Sequence, residues 1–170
     1  MEERVKNMLL RYFLIILLIL LIDLIYILFL PLTIYPVYFV IKLLYSATLQ
    51  GDLILIGSKG IEIIKACVGA SAIFLLVALN LATPSIKWKK RLKIFLFTII
   101  AFLIFNWIRI FVLSVLFIQE FILFNQIHTF TWYFISTVAV IVIWFIAVSS
   151  FKIKSSPFLS DIIYLGDLIK

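Results

Sequence analysis

The chain contains one cysteine, Cys67, and one histidine, His128, and Arg109 lies deep inside a long apolar stretch. A thiol attacks a peptide carbonyl as the thiolate, and a neighbouring imidazole or guanidinium is expected to lower the thiol pKa. The imidazole can also take the thiol proton and return one to the leaving amine. An arginine keeps its charge and can stabilise the developing oxyanion. These three residue types are the ones that cysteine-dependent acyl transfer requires.

Each of the three residues also has a simpler interpretation. A cysteine at a helix end is usually a small hydrophobic residue, an interfacial histidine is commonly an amphipathic anchor, and an arginine at a span end extends to the headgroups. Their joint position favours catalysis over these separate explanations. One cysteine and one histidine are too few ligands for a zinc site, so the sequence predicts no metal and no cofactor.

The elements that must position these residues lie in a membrane. The 170 residues are 66% hydrophobic, which is more apolar surface than a soluble domain of this length can bury. The net charge of +7 resides in short basic clusters between apolar runs, a pattern typical of membrane anchoring and not of a nucleic-acid partner. The apolar runs predict four spans, over residues 9–30, 67–82, 92–118 and 130–148.

The basic clusters orient the predicted spans. They precede the first run, separate the second from the third and follow the fourth, so the positive-inside rule places both termini in the cytoplasm. Residues 32–49 are apolar enough for a fifth span, but that span would move the basic cluster at residues 87–93 outside. We therefore predict a short interfacial or re-entrant helix at 32–49, followed by a small extracytoplasmic β-hairpin over 52–65.

The predicted fold is thus an all-α membrane protein, a bundle of about four transmembrane helices with a short interfacial helix and a β-hairpin. Residues 1–154 would form a single transmembrane domain and residues 155–170 a short cytoplasmic tail. Arg109 follows Lys93 by 16 residues (109 − 93), or about 24 Å of helix, near the outer boundary of a hydrocarbon core about 30 Å thick. Cys67 and His128 begin spans at that same extracytoplasmic face.

Other polar residues surround these three in the predicted bundle. Asn106 lies three residues before Arg109 on the same helical face, where it could orient the guanidinium, bind substrate backbone or bond to another helix. Asp23 is expected to pair with Arg109 or with a polar cavity, the alternative being a carboxylate wetted at the outer end of its span. Glu62 and Glu120 are expected to be solvated.

The segments 66–69 (Ala-Cys-Val-Gly) and 106–109 (Asn-Trp-Ile-Arg), followed by His128, resemble the motifs of the exosortase/archaeosortase family. That family has an Ala-Cys-Ser/Thr-Gly segment, an Asn-x-x-Arg segment and a late histidine, each at one end of a membrane span. The resemblance covers roughly residues 51–148. Val68 stands where the family commonly has a hydroxyl residue, and Ser71, one helical turn on from Cys67, is the candidate to replace it.

The resemblance implies a membrane-embedded cysteine protease or transpeptidase, with Cys67 as nucleophile, Arg109 as carbonyl stabiliser and His128 as acid and base. Such proteins cleave a C-terminal sorting signal, made of a short motif, a transmembrane helix and a basic tail, from exported proteins through a thioester. The implied partners are therefore membrane-anchored substrate proteins and a lipid or other amine acceptor.

Two functions other than catalysis compete with this one. In a non-catalytic membrane subunit or assembly factor, the same polar residues would only hydrogen-bond between helices. A transporter relay through Asp23, Arg109 and His128 is disfavoured, because the sequence has no paired broken helices of the kind that form midplane sites.

Overall fold

The computed structural model describes residues 2–169 and is mostly helical, with one small sheet. The elements in chain order are α1 (Glu2–Leu20), α2 (Ile22–Leu44), β1 (Ala47–Gln50), β2 (Leu53–Ile56), β3 (Lys59–Glu62), α3 (Lys65–Val68), α4 (Ala70–Ala82), α5 (Trp88–Ile118), α6 (Phe124–Phe130), a π-helical turn (Thr131–Ile135), α7 (Ser136–Ser150) and α8 (Leu159–Ile169).

Three helical segments of the described chain are long and apolar enough to cross a bilayer. They are α2, α5 and the continuous segment Phe124–Ser150, in which the π-helical turn joins α6 to α7. α4 is apolar but has only 13 residues, about 20 Å of helix, which is shorter than a hydrocarbon core of about 30 Å. The chain is therefore a membrane protein, but the predicted count of four spans is not confirmed.

The N-terminal region differs from the prediction. The run at 9–30 is divided at Leu21, where ψ is 18° and α1 gives way to α2. α2 then continues through Pro31 and Pro36 to Leu44, so the separate interfacial helix predicted at 32–49 is wrong. A helical proline leaves the carbonyl four residues earlier without its N–H donor. For Pro36 that carbonyl belongs to Leu32, and the indole N–H of Trp107 donates to it at 2.8 Å.

A three-stranded antiparallel sheet occupies the region where the sequence predicted a two-stranded hairpin. The strand order is β1-β2-β3, with two-residue connections in which Gly51 and Gly57 have φ of 64° and 58°. The sheet packs against the C-terminal half of α2 and against the turn that carries Cys67. The buried residues of this cluster are Ile34, Val37, Ile41, Ala47, Ile54, Ile63, Val68 and Ile110.

A second buried cluster joins α4, α5 and α7 through side chains that include Leu76, Ile94 and Phe102. At one end of it lies Arg91, which the sequence placed in a basic loop but which is only 7% exposed. Its guanidinium donates to the carbonyls of Asn80 and Thr83 and so attaches the end of α4 to the start of α5.

The segment expected to be a short tail, residues 155–170, contains α8. Asp161 on this helix is buried. Its two carboxylate oxygens accept hydrogen bonds from the guanidinium of Arg11 on α1, at 3.0 and 2.8 Å. Arg11 also donates to the carbonyl of Ala82 at 3.1 Å. Arg11 therefore connects three elements, which are α1, α8 and the C-terminal end of α4.

Candidate active site

Cys67 lies on a single helical turn, α3, between the sheet and α4. The chain enters this turn in an extended conformation at Ile64 and leaves it at Gly69, whose φ is 74°. A Cβ atom at Gly69 would come within 2.7 Å of the Phe102 ring. Because both the backbone angle and the space require glycine, this residue fixes the break that separates the Cys67 turn from α4.

Two residues of α5 bind the main chain of the Cys67 turn. The carbonyl of Cys67 accepts a hydrogen bond from Asn106 Nδ2 at 2.9 Å and another from Arg109 Nη2 at 3.1 Å. Asn106 is fully buried and also lies 3.4 Å from the carbonyl of Val68. The three-residue spacing puts both side chains on one face of α5, so this face holds the cysteine turn in place.

The guanidinium of Arg109 also contacts the third membrane segment. Its Nη1 donates to Ser136 Oγ at 2.7 Å, and that hydroxyl donates to the carbonyl of Thr131 at 3.0 Å. Thr131 and Ser136 bound the π-helical turn, which is a feature often found at functional sites. The Nε of Arg109 is buried and has no hydrogen-bond partner within residues 2–169. One N–H of the guanidinium is therefore left for another acceptor.

Cys67, Arg109 and His128 all line one cavity of about 250 Å³. The imidazole of His128 is exposed and stacks on the ring of Phe124, with centroids 5.5 Å apart and planes at 10°. Among the hydrogen bonds of residues 2–169, none joins the imidazole to the thiol. The predicted trio thus shares a cavity, and its catalytic roles remain predictions.

The remaining walls of the cavity are mainly apolar. One wall is formed by β3 and the two residues that follow it. The second wall is formed by the C-terminal part of α5 and the region around α6, and its side chains include Ile110, Leu113, Phe117, Phe124 and Trp132.

Burial raises the pKa of the Cys67 thiol above its ordinary value. A backbone hydrogen bond at Ile64 and the charge of Arg109 both act in the opposite direction, but they do not outweigh the burial. Arg109 thus lowers the pKa of the thiol as expected, but burial has the larger effect and the net shift is upward. The resting thiol is protonated near neutral pH, so attack on a carbonyl requires a base that removes the proton.

Two polar residues at or near the cavity were missed by the sequence analysis. Ser136 could not be identified, because a serine in an apolar run gives no signal for its partner. Ser114 is 3% exposed and lines the cavity, and its hydroxyl has no hydrogen-bond partner in the described part of the chain. An unpaired buried hydroxyl costs free energy unless a ligand or water satisfies it.

Two of the predicted supporting residues lie away from the cavity. Asp23 does not pair with Arg109, because its carboxylate binds the ammonium of Lys65 at 2.6 Å, with both side chains largely exposed. Ser71 is exposed and lies outside the cavity lining, so it does not replace the hydroxyl that Val68 lacks.

The two acidic residues expected to be solvated differ in their surroundings. Glu62 is exposed on β3 and lines the cavity. Glu120 binds Lys59 at 2.7 Å, and the ammonium of Lys59 also donates to the carbonyl of Ile118 at 2.6 Å. This contact connects the start of β3 to the end of α5.

The chain matches the model of a known protein family. The family model described as transmembrane exosortase (Exosortase_EpsH) matches residues 3–145. No curated protein and no solved structure matches the chain. The matched region extends from α1 into α7, and it includes the Cys67 turn, the Asn106–Arg109 segment and His128. Because the match covers most of the sequence, the chain belongs to the transmembrane exosortase family.

Proposed function

We propose that the protein is a membrane-embedded cysteine transpeptidase that cleaves a C-terminal sorting signal from exported proteins. The observation that carries the proposal is the shared cavity of Cys67, Arg109 and His128, in which the guanidinium binds the carbonyl of the nucleophile's own residue. Membership of the exosortase family supports the same class of reaction. The substrates would be membrane-anchored proteins whose signal combines a short motif, a transmembrane helix and a basic tail.

In the first step the Cys67 sulfur attacks the scissile carbonyl while His128 takes the thiol proton. Because burial keeps the thiol protonated at rest, His128 must remove this proton for the sulfur to attack. The carbonyl oxygen becomes an oxyanion, and the charged guanidinium of Arg109, a residue that lines the cavity, stabilises it. His128 then gives the proton to the leaving amine, and the acyl group remains on Cys67 as a thioester.

The second step releases the acyl group. An amine acceptor attacks the thioester, His128 takes a proton from that amine, and the thiol is restored with an amide as product. With water in place of the amine the product is a carboxylic acid. A lipid or other membrane-borne amine is the proposed acceptor.

The proposed orientation places the cavity at the extracytoplasmic face and both termini in the cytoplasm. The basic residues between α4 and α5 support it through the positive-inside rule. In this orientation α4, about 20 Å long, runs from the cytoplasmic loop toward the extracytoplasmic side, and the Cys67 turn lies at its outer end. A membrane-impermeant maleimide added to intact cells should therefore label Cys67, the only cysteine.

The proposal can be tested by coexpression in a host that lacks such transpeptidases. The reporter is an exported protein that ends in a motif–helix–basic tail encoded in the same genome, and immunoblotting follows its cleavage. Wild type should shorten the reporter, Cys67→Ala should not, and Ser71→Ala, a matched control outside the cavity, should behave as wild type. Normal cleavage by Cys67→Ala would remove Cys67 as the nucleophile.

A second candidate function is a non-catalytic membrane subunit. The hydrogen bonds from Asn106 and Arg109 to the Cys67 carbonyl favour it, because such bonds also hold helices together. This function predicts that Cys67→Ala and His128→Ala keep full activity in cells, whereas Arg109→Ala lowers the amount of protein in the membrane.

A further inference from the structure

The strand β3 forms both an edge of the sheet and a wall of the cavity. In the order β1-β2-β3 it pairs on one side only. Residues 60–64, which include most of this strand and the two residues after it, line the same cavity as Cys67. An unpaired strand edge is a template for another extended chain, and here that edge faces the nucleophile's cavity.

The register shows which main-chain groups of β3 are free. The N–H of Ile63 donates to the carbonyl of Asp52 at 2.9 Å, so these two residues form a hydrogen-bonded pair. Bonded and non-bonded pairs alternate along an antiparallel ladder. In the observed register, Glu62 faces Leu53 and Gly60 faces Leu55 as non-bonded pairs. The N–H and C=O groups of Gly60 and Glu62 therefore point away from β2, toward the open edge.

The C-terminal part of α5 forms another part of the cavity wall. Ser114 on α5 is almost fully buried, and its hydroxyl has no partner among residues 2–169. The contacts of Lys59 with the Ile118 carbonyl and with Glu120 hold the start of β3 against the end of α5. The cavity thus has the outward main-chain groups of β3 along one side and mainly apolar side chains elsewhere.

We propose that the acyl segment of the substrate, which precedes the cleaved bond, binds in this cavity as a fourth strand on β3. Main-chain groups of Gly60 and Glu62 pair with alternate residues of that segment. The thioester already attaches the acyl chain to Cys67, and the pairing fixes the orientation of that chain while an acceptor approaches. This inference rests on the proposed function and specifies how its substrate is held.

The test uses a thiol-reactive peptide, N-acetyl-trialanyl chloromethyl ketone, from which the Cys67 sulfur displaces chloride. Two isomers carry an N-methyl group on the second or on the third alanine nitrogen. Successive N–H groups of a strand point to opposite sides, so one methyl group should block pairing and the other should not. The full-length protein is purified in detergent, and mass spectrometry measures the alkylation rate of its single cysteine relative to iodoacetamide.

We expect one isomer to alkylate Cys67 about tenfold more slowly than the parent peptide. This factor corresponds to the loss of one or two backbone hydrogen bonds. The other isomer should react at the rate of the parent. Glu62→Pro removes an outward N–H and should abolish the difference between the isomers. Leu49→Pro is the matched control, since Leu49 occupies the equivalent outward position on β1, the opposite edge, and it should keep the difference.

Equal rates for all three peptides in wild type would overturn strand pairing and would leave the role of Cys67 intact. Alkylation by iodoacetamide with no reaction of any peptide would also overturn it. The comparison of isomers in wild type does not depend on whether the proline variants fold. Reporter cleavage by Cys67→Ala, measured separately, is the result that would overturn the proposed function itself.

Discussion

Replacing Arg109 by lysine should separate the structural role of its guanidinium from its role in the reaction. The side chain holds Ser136 Oγ at 2.7 Å and the Cys67 carbonyl at 3.1 Å, and it keeps a buried Nε–H without a partner. Lysine keeps the positive charge but has no planar fork. It can satisfy one of these acceptors, but it cannot also present a fixed N–H to an oxyanion in the cavity.

The structure limits the cost in stability. The Cys67 carbonyl keeps its bond from Asn106 at 2.9 Å, and Ser136 keeps its bond to the Thr131 carbonyl, so neither is left unpaired. The loss is therefore that of one hydrogen bond to a charged group, about 1.5–3 kcal/mol, which is smaller than a typical free energy of unfolding of about 5–15 kcal/mol. Loss of an oxyanion donor costs about 10²–10³ in rate.

The expected outcome is a folded protein that reacts slowly. The initial rate of reporter cleavage, divided by the amount of protein in the membrane, should fall about a hundredfold or more for Arg109→Lys. The melting temperature of the purified protein should fall by several degrees. Arg4→Lys provides the matched control, because Arg4 packs on the ring of Tyr164 and should retain wild-type cleavage.

Cleavage by Arg109→Lys within about threefold of wild type would refute the oxyanion role, since a donor of that kind contributes far more. Loss of the protein from the membrane, without a change in rate per molecule, would instead assign Arg109 to helix packing.

Three further outcomes follow from the described contacts. Because burial raises the pKa of Cys67, iodoacetamide alkylation of the folded protein should be slow at neutral pH. Its rate should increase at a higher pH than the rate for the denatured chain. A pH midpoint below that of the denatured chain would contradict this prediction. In Gly69→Ala, the residue has a φ of 74° and its new Cβ would lie 2.7 Å from the Phe102 ring. Thermal melts should show a loss of stability of about 1–3 kcal/mol. Gly166→Ala is the control and should cause no loss, because nothing lies within 4 Å of its new Cβ. Asp161→Ala breaks a buried ion pair and should cost about 3–5 kcal/mol and expose α8 to protease, while Asp167→Ala on the exposed face should leave the digestion pattern unchanged.

Counting along helices predicted that Arg109 would lie level with Cys67, because the thickness of the bilayer limits the length of each span. A span has a nearly constant rise per residue and must begin near a basic cluster, so Arg109 could be placed from Lys93 alone. The structure brings that guanidinium to the carbonyl of Cys67, at the start of a different apolar run. The three-residue spacing of Asn106 and Arg109 likewise predicted a shared face, since helical geometry is local.

Contacts between elements could not be predicted in the same way. Prolines normally indicate a helix end, yet α2 passes through Pro36. The carbonyl that this proline leaves free belongs to Leu32, and its donor is the N–H of Trp107, 75 residues beyond Leu32 in the chain. The helix break at Leu21 was likewise not predicted, and Asp23 binds Lys65, 42 residues farther along the chain, and not Arg109. Neither the break nor the partner has a local signature.

The three proposed catalytic groups differ in how firmly they are held, and the difference follows from their bonds. The guanidinium of Arg109 is tied to the Cys67 residue and to Ser136, so the nucleophile and the positive charge are fixed relative to each other. The imidazole of His128 is exposed and is held by stacking on Phe124, which sets the plane of the ring but makes no directional bond to the thiol. Proton transfer requires the two groups to come within about 3 Å. A substrate strand placed on β3 would fill the cavity that Cys67 and His128 both line. Binding of the substrate would therefore also align the imidazole of His128 with the thiol.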